Sequence, residues 1–250
     1  MKKLLIIGIG AGDPDFITMQ AVKALNIVDV FFMLEKGAAK DAMVELRREI
    51  CRRYAKDRSY RMVEAPSPRR EPRPADYTGC VDDLNRAKQE TFERMIADGL
   101  GEGQVGAILA WGDPSLYDST IRNIEAIAGR LGLDYEVIPG ISAIQVLAAR
   151  HRITLNAIGR PVEITTGRRL AEGWPAGVDS VVVMLDGEDT YRRFVGEDID
   201  IYWGAYLGTP DEILIAGRLG EVAEEIHRVR TSARERVGWI MDTYLMRRRG

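Results

Sequence analysis

This sequence has few of the residues that build metal centres and disulfide frameworks. Among its 250 residues it contains two cysteines, Cys51 and Cys80, and two histidines, His151 and His227. Two cysteines by themselves make neither a disulfide framework nor a metal site, and two histidines exclude a histidine-rich metal site. We therefore expect no bound metal, and a reducing cytoplasm as the location of the protein.

The sequence also lacks long hydrophobic runs and a large excess of charge of one sign. No stretch reaches the roughly 18 apolar residues of a membrane span. The net charge of −3 offers no general attraction for nucleic acid or a membrane surface, so we expect neither as a partner. The opening MKKLLIIG begins like a signal peptide, but its apolar run is short and ends in a glycine turn. With 46% hydrophobic and 29% charged residues, the composition is that of a soluble globular protein.

Strand-like and helical segments alternate over the first 150 residues. Helices are predicted over 38–57 and 77–98, between apolar runs such as KKLLIIGI, VDVFFML and QVGAILAW. This alternation predicts an N-terminal α/β domain with a parallel sheet over 1–150. The remaining strand-like segments are VEITTG, SVVVML, DIYWGAYL, EILIAGRL and RVGWIMDTY. With helices only near 188–195 and 219–230, they predict a mixed α+β domain over 151–250 and a cofactor cleft between the two domains.

The first strand runs into a turn with glycines at alternate positions, Gly8, Gly10 and Gly12. The dinucleotide fingerprint G-x-G-x-x-G needs its third glycine where Asp13 stands, and an aspartate there would repel a pyrophosphate. The next helix begins only near Thr18, too late for its dipole to lie under a phosphate at this turn. Glu35, at the end of the second strand, does occupy a place typical of a ribose-binding acid. An NAD(P)-dependent oxidoreductase therefore stays an alternative, whereas a P-loop is excluded because no Gly-Lys-Ser/Thr follows.

Two further predicted strands end in loops of small residues, WGDPSLYDS and IPGISA. Taken singly, each glycine turn is as well explained by tight chain reversal as by function. All three loops, however, fall at the carboxyl ends of predicted strands, where open α/β sheets bind ligands. Their coincidence predicts a ligand site at this edge.

The motifs GIGAGDPDFIT, AWGDPSLYDS and PGISA, in this order and spacing, resemble the tetrapyrrole methylase family. The resemblance continues through the β-rich half as far as EILIAGRL. It implies a two-domain tetrapyrrole methylase fold, S-adenosylmethionine as cofactor, a tetrapyrrole substrate and a homodimer. The opening segment, the helix EKGAAKDAMVELRREICRRY and the following Pro/Arg loop look like members of aerobic cobalamin synthesis that methylate ring carbon 1 of precorrin-5 and release acetate. Other members, including those that act on sirohaem precursors or other precorrin positions, stay alternatives.

The resemblance also implies a set of cofactor-binding residues: Ala11, Trp111, Gly112, Asp113, Leu116, Ser142, Ala143, Met184, Leu207 and Ala216. Ala11 stands where most members have proline, and Met184 matches a methionine that packs near adenine. The physics agrees with such a cofactor, because S-adenosylmethionine is a cation without phosphate. Carboxylates such as Asp13 and Asp113 suit a cation at strand ends, although Asp13 is equally expected to shape the turn before Pro14.

The predictions for substrate and catalysis concern other residues. Segment 66–74, PSPRREPRP, is predicted to be an exposed loop. Its Arg69, Arg70 and Arg73 are candidates to clamp substrate carboxylates, and a solvated loop is the alternative. Release of acetate needs a base for water, for which Asp113 and Tyr117 are candidates, each as readily structural as catalytic. A non-catalytic cofactor-binding subunit stays a further alternative.

Overall fold

The structure is a computed structural model that describes residues 1–35, 41–56, 59–68 and 77–249. By their contacts the residues form two compact units, Met1–Gly10 with Pro14–Ser142 and Ala11–Asp13 with Ala143–Gly250. The predicted boundary after residue 150 falls within the last turn of the helix Ala143–His151, whereas this helix packs against three strands of the second unit. Its apolar face explains the difference, because Ile144, Val146 and Leu147 are buried there.

The first unit is built on a five-stranded, fully parallel sheet with the strand order β3-β2-β4-β1-β5. Its strands are β1 (Lys2–Gly8), β2 (Val30–Glu35), β3 (Arg61–Pro66), β4 (Val105–Ala110) and β5 (Leu133–Ile138). Its helices are α1 (Met19–Leu25), α2 (Asp41–Tyr54), α3 (Tyr77–Gly99) and α4 (Thr120–Leu131). The predicted N-terminal parallel α/β sheet is confirmed.

Both faces of this sheet are covered, which explains why β1 is apolar along most of its length. Leu4 and Ile6 pack with residues of α3 and α4 on one face. Leu5 and Ile7 pack with residues of α1 and α2 on the other. The predicted helix start at Thr18 is confirmed, because its hydroxyl accepts a hydrogen bond from the Ala21 backbone N–H at 3.1 Å.

One strand and one segment of the first unit differ from the sequence predictions or fall outside the description. Strand β3 was not predicted, because its sequence RMVEAP carries polar residues and lies at the edge of the sheet, where most of its side chains are partly exposed. The predicted loop 66–74 overlaps β3 at Pro66. Its arginines Arg69, Arg70 and Arg73 lie outside the described residues, so their predicted contact with substrate stays a prediction.

The second unit holds a five-stranded mixed sheet with the order β6-β7-β10-β8-β9, in which only β6 and β7 run parallel. Its strands are β6 (Val162–Thr166), β7 (Ser180–Met184), β8 (Ile199–Ala205), β9 (Ile213–Arg218) and β10 (Asp242–Arg248). Its helices are α5 (Ala143–His151), α6 (Gly167–Leu170) and α7 (Leu219–Val237), and a short 3-10 helix covers Thr190–Phe194. The predicted mixed α+β class is confirmed.

The strand predicted over RVGWIMDTY begins too early. Helix α7 continues to Val237 and ends at Gly238, whose φ of +82° is left-handed, and β10 begins only at Asp242. The apolar stripe of α7 continues past residue 230 to the buried Ala233, which holds the helix against the sheet. No helix in the described part of the chain is long and apolar enough to cross a bilayer.

Candidate functional site

Three loops leave the carboxyl ends of the adjacent strands β4, β1 and β5 in the first unit. The loops after β1 and β4 are joined by backbone hydrogen bonds. The Ile9 N–H donates to the Ala110 carbonyl at 3.0 Å. Gly10 and Gly112 exchange two bonds, with N···O distances of 3.3 Å and 2.9 Å, and form an isolated antiparallel bridge. The parallel sheet therefore ends in a braced platform rather than in independent loops.

Glycine is required here by the close approach of backbones. A Cβ added at Gly140 would lie 2.1 Å from the Gly112 carbonyl oxygen, and one at Gly8 would lie 2.6 Å from the Gly140 nitrogen. Gly8 and Gly140 are thus explained by packing, without a ligand. Gly112 differs, because the nearest atom to an added Cβ is Ser142 Cα at an ordinary 3.6 Å, while its φ of +67° favours glycine. The Cβ side of Gly112 is therefore less crowded than that of the other two glycines.

Asp113 fastens the loop after β4 to the loop after β5. Its Oδ2 accepts from the Gly140 N–H at 2.8 Å, and its Oδ1 accepts from the Ser115 N–H at 2.8 Å and from the Ser115 hydroxyl. Burial by itself would raise the pKa of this carboxyl, but the hydrogen bonds from Ser115 and Gly140 lower it below its usual value. Asp113 is thus an ionised, engaged carboxylate, which makes it a weak base near neutral pH.

Trp111, the first residue after β4, carries a buried polar atom with no partner. Its indole Nε1–H is enclosed, and no hydrogen-bond acceptor reaches it among the residues that the structure describes. The indole nitrogen can only donate, and a buried donor left unpaired costs about 1–3 kcal/mol. An acceptor supplied by a bound ligand would satisfy it. The chemistry of this loop therefore fits a ligand with hydrogen-bond acceptors, as the cofactor prediction requires.

The predicted cofactor residues fall in both units. The first unit contains Trp111, Gly112, Asp113, Leu116 and Ser142, and the second contains Ala11, Ala143, Met184, Leu207 and Ala216. Leu116 is half-buried, and its N–H donates to the Asp113 carbonyl at 3.2 Å. Ser142 is buried, whereas Ala143 is half-buried at the first position of α5.

Within the second unit, two of the predicted residues lie at the same edge of the sheet. Strands β7 and β8 both run antiparallel to β10, so both end at the edge of the sheet where β10 begins. Met184 is the last residue of β7, and Leu207 lies two residues after the end of β8. The turn at Ala11–Asp13 belongs to this unit, and a Cβ at Gly12 would lie 2.1 Å from the Leu207 carbonyl oxygen. Ala216 is farther in, because it pairs with Tyr202 in the middle of β8, about 10 Å along the strand from the edge.

The second catalytic candidate, Tyr117, sits on strained backbone close to Asp113. Its side chain is 44% exposed, and its φ of +50° is unusual for a residue other than glycine. Such strain is concentrated at functional sites, so Tyr117 stays a candidate. Among the described residues, no group of three or more histidine, cysteine or carboxylate side chains stands ready to hold a metal ion.

The sequence motifs missed a basic side chain at this edge. Arg47 of α2 donates from Nε to the carbonyl of Leu109, near the end of β4, at 3.0 Å. A signal was present in the sequence, because Arg47 follows Met43 by four residues and precedes Ile50 by three. It is thus a cation on the apolar stripe of an amphipathic helix, a position that normally faces the core.

Comparison with known proteins gives a consistent result. The sequence model of the family "Tetrapyrrole (Corrin/Porphyrin) Methylases" matches residues 3–223. A precorrin-6A synthase [deacetylating] of Sinorhizobium sp is 50% identical, over 99% of this chain and 96% of that protein. A solved structure of a cobalamin-synthesis-related protein (CobF) of Corynebacterium diphtheriae is 34% identical, with a TM-score of 0.83 over 99% of this chain and 98% of that chain. A Thermus thermophilus uroporphyrin-III C-methyl transferase, solved with S-adenyl homocysteine, shares the fold at 17% identity and a TM-score of 0.55, over 98% of this chain and 96% of that chain.

Proposed function

This chain belongs to the tetrapyrrole methylases, and on that premise we propose that it is an S-adenosylmethionine-dependent C-methyltransferase of cobalamin biosynthesis. Its reaction methylates ring carbon 1 of precorrin-5 and releases acetate, giving precorrin-6A. The observation that carries this proposal is the 50% identity with the Sinorhizobium precorrin-6A synthase over nearly the whole of both chains.

The described residues fit the proposed cofactor, which supplies an activated methyl group on a sulfonium. Trp111 offers an unpaired N–H to an acceptor, and Gly112 presents backbone without a side chain. Asp113 holds the loops after β4 and β5 in place by its three hydrogen bonds. In the second unit, the half-buried Met184 and the buried Leu207 lie at one sheet edge. We propose that these residues, with Ala11, Leu116, Ser142, Ala143 and Ala216, bind the one cofactor.

The proposed reaction has two bond changes at the ring carbon. The oxygen of a water molecule bonds to the acetyl carbonyl carbon, both protons of that water are lost, and the bond from the acetyl group to the ring carbon breaks to release acetate. The electron pair left on the ring carbon then forms the bond to the methyl group, whose bond to the donor sulfur breaks, so that S-adenosylhomocysteine is the second product. The protein contributes mainly by positioning, which is worth on the order of 7–11 kcal/mol for well-oriented reactants. Because Asp113 is engaged by Ser115 and Gly140, Tyr117 is the better of the two predicted candidates for handling the proton.

The first test concerns the cofactor. S-adenosylhomocysteine is expected to raise the melting temperature of the protein and NAD is not, because a ligand that binds only the native state stabilises it by mass action. At a hundredfold excess over its Kd the stabilisation is about 2.7 kcal/mol. Differential scanning calorimetry with each ligand measures this. Stabilisation by NAD(P) without stabilisation by S-adenosylhomocysteine would favour the oxidoreductase alternative instead.

The reaction itself is tested by incubation with precorrin-5 and methyl-labelled S-adenosylmethionine. Mass spectrometry is expected to show the gain of one labelled methyl group together with the loss of the acetyl group as acetate. Methyl gain with the acetyl group retained would assign the chain to another precorrin position. Tight binding of S-adenosylhomocysteine without methyl transfer to any tetrapyrrole would favour the alternative of a non-catalytic cofactor-binding subunit.

A second prediction concerns the unpaired donor. Trp111→Phe is expected to weaken S-adenosylhomocysteine binding about tenfold, the loss typical of one hydrogen bond to a polar ligand. The unligated protein should keep its stability or gain a little, because the substitution removes a buried unsatisfied N–H. Isothermal titration and thermal unfolding measure the two effects. Trp174→Phe is the matched control, since its indole N–H already donates to the Val178 carbonyl at 2.7 Å. Unchanged affinity in Trp111→Phe would remove this donor from the cofactor site.

We also propose a homodimer in the cytoplasm, on the basis of the family resemblance. Light scattering is expected to give a mass twice the 27.9 kDa of one chain.

A further inference from the structure

A small polar cavity opens at the carboxyl edge of the first sheet, beside the loop that carries Trp111. Leu34 near the end of β2, Leu109 near the end of β4 and Ser67 just after β3 contribute to its wall. The remaining polar wall comes from Arg47 of α2, Lys88 of α3 and the residues that lead into α4. Three strand ends and three helices thus converge on one cavity within the first unit.

The cavity is too small for a whole cofactor or macrocycle. Its volume is about 70 Å³, whereas pockets for complete small molecules usually measure roughly 300–1,000 Å³. It has room for a few water molecules or for one short substituent of a larger ligand. A ligand that uses it must therefore lie mainly outside and insert a side group.

Arg47 is held firmly at the wall of this cavity. Its Nε donates to the Leu109 carbonyl at 3.0 Å and its Nη1 to the Met43 carbonyl at 3.3 Å. A guanidinium has five N–H donors, so among the described residues these two bonds leave the Nη2 amino group for a ligand. Burial lowers the pKa of Arg47, but arginine stays charged at every physiological pH. A cation that has lost part of its hydration is a strong attractor for an anion.

The described part of the cavity wall carries two further charged side chains, Lys88 and Asp118. Lys88 Nζ lies 3.3 Å from the Ser119 hydroxyl oxygen and adds a second cation. Asp118 is the carboxylate of the lining, and its Oδ1 is engaged at the start of α4, accepting from the Thr120 N–H at 2.6 Å. Among the lining residues that the structure describes, two are basic and one is acidic, and the hydroxyls of Ser67 and Ser119 can donate as well.

We propose that this cavity binds one carboxylate side chain of the tetrapyrrole substrate, with Arg47 and Lys88 as its cationic contacts. The proposal rests on the proposed function and deepens it, because precorrins carry acetate and propionate side chains around the ring. A carboxylate fits the volume, and a charge-assisted contact to a guanidinium is among the stronger hydrogen bonds in proteins. The two residues position the ring, since one anchored substituent fixes which ring atoms face the loop after β4.

The test compares variants of the whole protein. Lys88→Met removes one cation and keeps the length of the side chain, and Arg47→Gln removes the other. Arg94→Met is the matched control, because Arg94 is an exposed residue of the same helix and does not line the cavity. For each protein, steady-state kinetics with precorrin-5 gives kcat and KM, and isothermal titration gives the Kd of S-adenosylhomocysteine. Fluorescence titration with uroporphyrin, a stable porphyrin with acetate and propionate side chains, reports tetrapyrrole binding without turnover.

Lys88→Met and Arg47→Gln are each expected to raise KM and the uroporphyrin Kd about tenfold or more, with the Kd of S-adenosylhomocysteine unchanged. Arg47→Lys should recover part of the loss, and the difference from wild type should shrink at high salt. If Arg47→Gln does not fold, Lys88→Met decides alone. Wild-type KM in Lys88→Met, or an equal loss in Arg94→Met, would overturn the proposal while leaving the proposed function intact. A wild-type protein that binds S-adenosylhomocysteine but neither binds nor methylates a tetrapyrrole would overturn both.

Discussion

Gly112→Val is expected to abolish measurable S-adenosylhomocysteine binding, with an affinity loss of at least about a hundredfold, while the protein still folds. The φ of +67° at Gly112 is a conformation that a β-branched residue adopts only under strain. The loop would shift to relieve this strain, and the shift would disturb the paired bonds to Gly10. The valine methyl groups would in addition cover backbone that the cofactor is proposed to approach.

Folding should survive because the cost is local. Strain at one backbone position amounts to about 1–3 kcal/mol, against a total stability of about 5–15 kcal/mol for a typical protein. Gly103→Val is the matched control, since Gly103 has a similar φ of +77° and an added Cβ there meets nothing within 4 Å. Gly103 lies before β4, at the opposite end of the strand from Gly112. Isothermal titration should show wild-type affinity in Gly103→Val. A folded Gly112→Val protein with wild-type affinity would exclude Gly112 from the cofactor site.

The ends of β1, β4 and β5 could be predicted from sequence because each is marked twice. An apolar run stops and a glycine follows, as at Gly8 after LLII, and the parallel order of such strands follows from their alternation with helices. The reason for two of those glycines could not be predicted. Gly8 and Gly140 are far apart in sequence, and their backbones touch only because β5 lies beside β1. Spacing motifs carry no information about such a neighbour.

The elements that escaped prediction are those in which the hydrophobic pattern is weak or continues past a boundary. Strand β3 is a partly exposed edge strand that contains Arg61 and Glu64, so it gives little apolar signal. The assignment of helix α5 to the second unit depends on which sheet its buried face meets. That choice is made by tertiary packing rather than by local sequence.

Two arginines on the apolar stripes of helices carry information that motif matching ignores. Arg47 of α2 follows Met43 on the buried side, and Arg230 of α7 follows Ile226 in the same way. Arg47 lines the small cavity at the end of β4, where Asp118 is the acidic residue of the described lining. Arg230 is instead enclosed by partners, as an internal structural cation. A cation on an apolar stripe therefore predicts a buried anion, and only the fold shows whether the protein or a ligand supplies it.

Arg230→Met is expected to destabilise the second unit by about 3–5 kcal/mol, the usual result of removing one partner of a buried ion pair. The Arg230 side chain is 7% exposed, with Nε 2.9 Å from Asp242 Oδ2 and Nη1 3.0 Å from Asp189 Oδ1. Its Nη2 also donates to the Asp186 carbonyl at 2.6 Å. Methionine fills much of the space but leaves the Asp242 carboxylate buried without its cation. Urea denaturation measures the loss, and Arg130→Met, at an exposed pair with Glu93, should change the midpoint far less.

The pH dependence of the loss distinguishes an uncompensated charge from lost packing. Burial raises the pKa of Asp242, and Arg230 opposes that rise. Without Arg230 the pKa of Asp242 in the folded protein moves higher still. In the unfolded chain an aspartate has a pKa of about 3.9, so between the two pKa values only the folded protein holds the proton. Stability then falls as pH rises between these two values, and it recovers as pH is lowered.

The destabilisation in Arg230→Met should therefore be largest near pH 7 and smaller at pH 5. Adding Asp242→Asn should recover part of it at pH 7, because a neutral amide has no charge to compensate. A loss that stays constant between pH 5 and 7, and that Asp242→Asn does not reduce, would assign the effect of Arg230 to packing alone.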